Sequence, residues 1–150
     1  MQKERERLVT LKVIVNKDNQ SGPYRITIPA NELLQVGDEL LVDDPAKDVV
    51  MTEITSLETD RRVDSAPAGK VMTAWARATD EVPLKISVYR NGVTRPLKIS
   101  VPGDEVLELG EVRQVKGVKF CIVKIKLRSE GFAADTAMAK DIVRVWGREI

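Results

Sequence analysis

"AGKVMTAWAR" occupies Ala68–Arg77, and "AKDIVRVWGR" occupies Ala139–Arg148. Each is a run of small residues leading into an alternating segment that ends in Trp-x-Arg. Working outward from this pair, the rest of the chain falls into register. "LVTLKVIV" (Leu8–Val15) matches "EVPLKISV" (Glu81–Val88), which sets Leu84 against Leu11 at a spacing of 73 residues. "YRITIP" (Tyr24–Pro29) matches "LKISVP" (Leu97–Pro102) at the same spacing, and so does "VGDEL" (Val36–Leu40) with "LGEVR" (Leu109–Arg113). After a shorter loop in the second copy, Trp75 aligns with Trp146 at a spacing of 71. Order, spacing and ending all recur, so the chain reads as an internal duplication. It divides near Thr79–Val82.

Each copy reads as β. Leu11, Val13 and Val15 share one strand face, as do Leu84, Ile86 and Val88, because side chains alternate across a strand. Ile26 and Ile28 alternate in the same way, and so do Ile99 and Val101. Pro29 and Pro102 cannot donate to a sheet ladder and are expected to end those strands. Gly37 and Gly110 then turn the chain into a third strand, Glu39–Val42 or Val112–Val115. A fourth follows at Val50–Leu57 or Val118–Leu127. An Ala-rich crossover with one helical turn leads to the last strand, which carries the Trp. Alternatively, "GFAADTAMAK" starts a short amphipathic helix capped by Asp135.

The predicted fold class is therefore all-β: two tandem repeats of about five short strands each, as small SH3-like or OB-like barrels packed together. The expected organisation is a flexible amino-terminal segment 1–7, a first β repeat 8–79 and a second β repeat 80–150. One barrel built from interleaved halves is the alternative topology.

Composition removes most chemistries. The chain of 150 residues contains no histidine and a single cysteine, Cys121. The commonest general base, the Ser-His-Asp and Cys-His arrangements and an intrachain disulfide are excluded with them. Carboxylates remain, but the densest cluster, Asp43, Asp44 and Asp48 in "DDPAKD", lacks the ligand spacing of a calcium loop. It reads as a turn fixed by Pro45. No catalytic residues, metal ligands or cofactor are expected, and the protein is expected not to be an enzyme. No apolar run approaches the roughly 18–20 residues of a membrane span, and "MQKERERLVT" has no apolar signal core. A cytoplasmic setting without membrane contact is expected.

Charge is uneven. Residues 1–75 hold 10 Lys/Arg against 13 Asp/Glu, net −3, while residues 76–150 hold 14 against 10, net +4. The second copy is the expected place for an anionic partner. In "KFCIVKIKLR", strict alternation puts Cys121, Val123, Ile125 and Leu127 on one face and Lys124, Lys126 and Arg128 on the other. Arg90, Arg95 and Lys98 extend that patch if their strands are neighbours. Such a row can follow a phosphate backbone, or it can be a solvated face whose lysines guard an edge. Arg77 and Arg148, each two residues beyond a Trp, are weaker candidates for stacking on indole or base. Each Trp is expected in the core of its barrel or at the seal between halves. With so few Phe and Tyr, an aromatic platform for bases is thin.

The arrangement "LKVIV … ITIP … VGDEL … RRVDSAPAGKVMTAWARA … VPLKISV … VPGDEVLELGE … KIKLR … AKDIVRVWGR" resembles an archaeal family of uncharacterised proteins known as zinc-finger or zinc-ribbon proteins. The likeness runs from about Arg7 to Arg148, with "TAWARA" and "VPGDE" its most specific parts. Members of that family typically carry a ribbon of paired cysteines ahead of the duplicated region. Nothing before Leu8 here is a cysteine. The resemblance therefore implies either a ribbon-less variant or a chain from which the ribbon has been removed, and no zinc site is carried over. It also implies contact with nucleic acid or with the translation or transcription machinery. The expected function is a non-catalytic binding module for RNA or a ribonucleoprotein, acting through the basic face of the second repeat. A protein-interaction or assembly domain is the alternative.

Overall fold

A computed structural model describes residues 7–150. Residues 1–6 of the expected flexible segment lie outside the described residues. Arg7 is tied to the fold, its carbonyl accepting the Ala30 N–H at 2.7 Å. The chain forms two compact units, the first ending at Thr79 and the second running Asp80–Ile150.

In the first unit the strands are β1 (Leu8–Lys17), β2 (Gln20–Pro29), β3 (Leu33–Gln35), β4 (Glu39–Asp43), β5 (Val49–Glu58), β6 (Arg62–Val63), β7 (Ser65–Pro67) and β8 (Thr73–Ala78). The second unit contains β9 (Glu81–Arg90), β10 (Val93–Pro102), β11 (Val106–Glu108), β12 (Val112–Val115), β13 (Val118–Leu127), β14 (Thr136–Met138) and β15 (Ile142–Glu149). The main sheets run β2-β1-β8-β5-β4 and β10-β9-β15-β13-β12, and β3–β7 and β11–β14 form small separate ladders. Each unit is a curled half-barrel. Every sheet draws on one copy alone, so the interleaved barrel does not form.

Sequence chemistry explains the strands. The β9–β10 hairpin turns on Asn91-Gly92 and the β12–β13 hairpin on Lys116-Gly117, all four residues at positive φ. These are the two-residue turns whose twist matches that of the flanking strands. β2 and β10 end at Pro29 and Pro102, and both are edge strands, where Pro23 and Pro96 leave no ladder bond unmade. The expected helical turn is a short 3-10 segment at Ala68–Lys70 and at Ala139–Asp141. The longer helix does not form: Thr136–Met138 is extended, and no side chain caps the turn that follows, so Asp135 has no capping role.

The two copies share the pairings of their main sheets. Leu11 pairs with Ile26 as Leu84 pairs with Ile99. The Gly37 N–H donates to the Ile54 carbonyl, and the Gly110 N–H to the Ile122 carbonyl, both at 2.8 Å. In each unit the last strand enters parallel to the first, Val13 beside Ala74 and Ile86 beside Val145.

Each unit has its own apolar core, Leu11, Val13, Ile54 and Leu57 in the first and Leu84, Ile86, Ile122 and Ile125 in the second. The expected face of β13 is corrected here. Phe120 and Ile122 are buried, but the strand then carries a register shift between Ile122 and Lys124, and burial resumes at Ile125. Alternation with Phe120 and Ile122 places Cys121 on the outer face, and the bulge at Val123 then turns Ile125 inward, so that Lys124 and Lys126 share that outer face. The first copy has the same irregularity between Ile54 and Ser56.

The acidic cluster is structural. Asp44 is buried at the end of β4 and accepts the backbone N–H groups of Arg25 and Ala46, both at 2.9 Å. It thereby ties edge strand β2 to the turn after β4. Asp48 accepts from the Lys17 ammonium at 2.7 Å and the Tyr24 hydroxyl at 2.8 Å, and these bonds hold its carboxyl at about 2. A carboxylate with a depressed folded-state pKa stabilises above the unfolded value, near 4, and that stability is lost as pH falls toward 2. Wild type is therefore expected to exceed Asp48→Asn in denaturant midpoint at pH 7, with the gap closing between about pH 4 and pH 2. A gap independent of pH contradicts this role.

Candidate nucleic-acid interface

Alternation within β9, β10, β13 and β15 divides their side chains between the core and an outer face. Among the residues of these four strands the acids are Glu81 and Glu149 alone. Glu149 belongs to the core side and pairs with Arg90 at 2.8 Å. Glu81 stands at the far end of β9, opposite Pro102. The outer face otherwise carries Lys85, Lys98, Lys119, Lys124, Lys126, Arg144 and Arg148, and no acid stands between them.

Strand pairing sets these cations in rows across the sheet. One row runs Tyr89, Arg148, Cys121 and Val112. The next runs Pro96, Ser87, Trp146 and Lys124. In the third, Lys98 faces Lys85 and Arg144 faces Lys126. Arg144 is fixed in place, its Nη1 donating to the Ser87 hydroxyl at 2.8 Å. Neighbouring strands lie about 4.8 Å apart, so Arg144 and Lys126 are like charges held close at an electrostatic cost that a bound polyanion would relieve.

Aromatic rings lie in the same field. Trp146 is on the outer face and only partly buried, outside the core of its unit, and Trp75 holds the same place in the first unit. The expectation of core tryptophans is corrected: the inner positions of the last strand go to small or branched residues, Ala74, Ala76 and Ala78 or Val145 and Gly147. Phe132, 51% exposed, packs against Trp146 with ring centroids 6.3 Å apart and planes inclined at 53°. The Lys124 ammonium lies 4.3 Å from the Phe132 centroid and 5.1 Å from that of Trp146. Tyr89, also 51% exposed, stands on the neighbouring strand. Three of the chain's six Phe, Tyr and Trp residues thus share one face.

The fold gathers only part of the predicted set. Lys124, Lys126, Lys98 and Arg148 share the outer face. Arg128 lies one residue past β13, its backbone N–H bound to the Asp141 carbonyl. Arg90 and Arg95 point the other way: they line an open cleft of about 270 Å³ with Val88, Asn91, Val93 and Glu149. Arg77 is in the first unit, paired with Glu53 at 3.3 Å. Lys85, Lys119, Arg144, Phe132 and Tyr89 were not singled out from sequence. Their signal was nonetheless present, since alternation in "EVPLKISVYR" places Lys85 and Tyr89 opposite the core residues Leu84, Ile86 and Val88.

The first copy supplies an internal comparison on the same scaffold. Through the matched pairings, Cys121 stands where Glu53 stands, Lys124 where Ser56, Lys126 where Glu58, and Arg144 where Thr73. Phe132, bridged to Lys126, takes the place of Arg62, which pairs with Glu58. One outer face mixes both signs, and the other is basic and aromatic.

No helix among the described residues is long and apolar enough to cross a membrane. The chain matches the CPxCG-related zinc finger family over residues 1–148. It is 31% identical over 146 residues to the uncharacterised protein MJ0981 of Methanocaldococcus jannaschii, an alignment that covers 96% of this chain and 68% of that protein. No solved structure matches it. The residues present do not fit the metal of the family's name. Cys121 is the only thiol and there is no histidine, and among the described residues no cluster of three Cys, His, Asp or Glu could hold an ion.

Proposed function

The chain belongs to the CPxCG-related zinc finger family, and from that premise we propose that it is a non-catalytic cytoplasmic module that binds RNA, free or within a ribonucleoprotein, through the outer face of its second sheet. The observation that carries this reading is the contrast between copies. Arg77 of the first unit has Glu53 as its ion-pair partner, whereas the equivalent Arg148 faces Cys121. Lys126 and Arg148 have no acidic partner among the described residues. A neutralised pair on one copy and unneutralised cations on the other are what a polyanion site requires.

The reading is tested by titrating fluorescently labelled RNA with the purified chain at about 50 and about 200 mM salt. Affinity that falls steeply with salt supports it. No binding at the lower salt removes it and leaves the protein-interaction alternative. A local variant sharpens the test. Cys121→Glu restores beside Arg148 the acid that the first copy holds beside Arg77. It is expected to leave folding intact and to weaken RNA binding by roughly two- to fivefold, the scale of one partly exposed ion pair. Unchanged affinity would exclude Arg148 from the interface.

A further inference from the structure

Resting on the reading just given, we infer that the ligand is single-stranded RNA, with an unpaired base stacked at the Phe132–Trp146 pair while its phosphates follow the cations beside it. Charge alone does not distinguish a duplex from a single strand, but the aromatic rings do. Bases inside a duplex are already stacked and keep their faces from a protein surface, whereas unpaired bases can splay out and stack on exposed rings. Phe132 is half exposed beside Lys124 and Lys126, where a solvated polar residue would serve a purely electrostatic site equally well. The first copy has such a residue, Arg62, at the matching bridge. Phe132 thus appears together with Lys124, Lys126 and Arg144 on one copy, while the matching positions of the other carry Arg62, Ser56, Glu58 and Thr73. Lys124 connects the two features. Its ammonium rests against both rings, 4.3 Å from Phe132 and 5.1 Å from Trp146, so a phosphate bound there is delivered next to the stacking surface. The row of Lys126, Arg144, Lys85 and Lys98 crosses four strands, which directs the RNA across the sheet and away from the ring pair.

The test compares a labelled oligouridylate about 12 nucleotides long, within the usual site size of such surfaces, with a duplex of the same length at the same salt. Wild type is expected to bind the single strand roughly tenfold or more tightly than the duplex. Phe132→Ala, at a half-exposed position, should lower single-strand affinity roughly five- to hundredfold, the size of one lost base–aromatic stack, and leave duplex affinity within about twofold. Phe132→Trp should restore single-strand binding. In Trp75→Phe, where Trp146 is the only indole, fluorescence should change on adding oligouridylate. In Trp146→Phe, where Trp75 remains, it should not. Equal binding of duplex and single strand, or a Phe132→Ala variant with unchanged single-strand affinity, overturns the inference while leaving the RNA-binding reading in place. Absence of binding to either RNA overturns both.

Discussion

Gly147→Ala is expected to lower the stability of the second unit by about 1–3 kcal/mol, the usual cost of forcing extra volume into a filled core. A Cβ at Gly147 would overlap the Phe120 ring, standing 2.9 Å even from Cγ. Phe120 is 1% exposed, so the ring has no free space into which to retreat. The first copy solves the same position with a different pair. Ala76 stands where Gly147 stands, and Thr52, fully buried and donating to the Leu40 carbonyl at 2.7 Å, stands where Phe120 stands. The second copy thus carries a ring on one strand and no side chain on its neighbour, where the first copy carries a small side chain on each. Phe120→Thr alone should cost about 3–5 kcal/mol, the range for truncating a large core ring. The double variant, which recreates the first copy's pair, should be less destabilised than the sum of the two single changes. Denaturant unfolding of all four proteins in a Trp75→Phe background measures this coupling at Trp146. Additivity within about 0.5 kcal/mol would show that the two positions do not share a constraint.

The second large effect concerns binding. Replacing Lys124, Lys126 and Arg148 together by glutamine removes one charge from each of the three rows and touches no core residue. Each phosphate contact on a single strand contributes about 0.7 to the slope of log K against log salt. The triple variant should therefore show a slope shallower by about 2, and an affinity lower by roughly ten- to hundredfold at moderate salt. Its denaturation midpoint should stay within the small change typical of surface substitutions, about 0.5 kcal/mol. An unchanged slope would move the interface elsewhere. The same three glutamines should leave any affinity carried by the Arg90–Arg95 cleft intact, because those arginines lie on the core side of the sheet beside Glu149.

Much of this architecture is legible in the sequence because duplication doubles the information. Two copies with the same order of apolar alternation, proline stops and Trp-x-Arg ending determine which strands exist and where they end. The ladders β3–β7 and β11–β14 are not legible, since three-residue strands such as Leu33–Gln35 are too short for a periodic pattern to register. The bulge in β13 is missed for a related reason. Strict alternation from Cys121 onward is self-consistent, and only the core spacing Phe120, Ile122, Ile125 shows that a residue has been inserted. The first copy repeats that spacing as Thr52, Ile54, Leu57, which was the available clue. A core place was one of the two expected for each tryptophan, because large rings fill small barrels. The inner positions beside them, Ala74 with Ala76 and Val145 with Gly147, already supply a close-packed seam. A count of aromatic residues says how few there are and nothing about which face they share. Strand pairing brings Tyr89, Phe132 and Trp146 onto one surface from three separate parts of the chain. The cation set fails in the same way: charge clusters along the sequence included Arg90 and Arg95, which the hairpin directs to the opposite side, and passed over Lys85 and Arg144.

The central claim is that one of two matching faces binds RNA and the other does not. Each face contains one tryptophan at an equivalent position, so a single proton–nitrogen correlation spectrum of the labelled protein reports both through their indole N–H signals. On titration with oligouridylate, the Trp146 indole and the backbone amides of Lys85, Lys124, Lys126 and Arg144 are expected to shift, while the Trp75 indole and the amides of Lys12, Ser56, Glu58 and Thr73 stay where they are. Shifts centred on Trp75, or a spectrum unchanged by RNA at low salt, would contradict it.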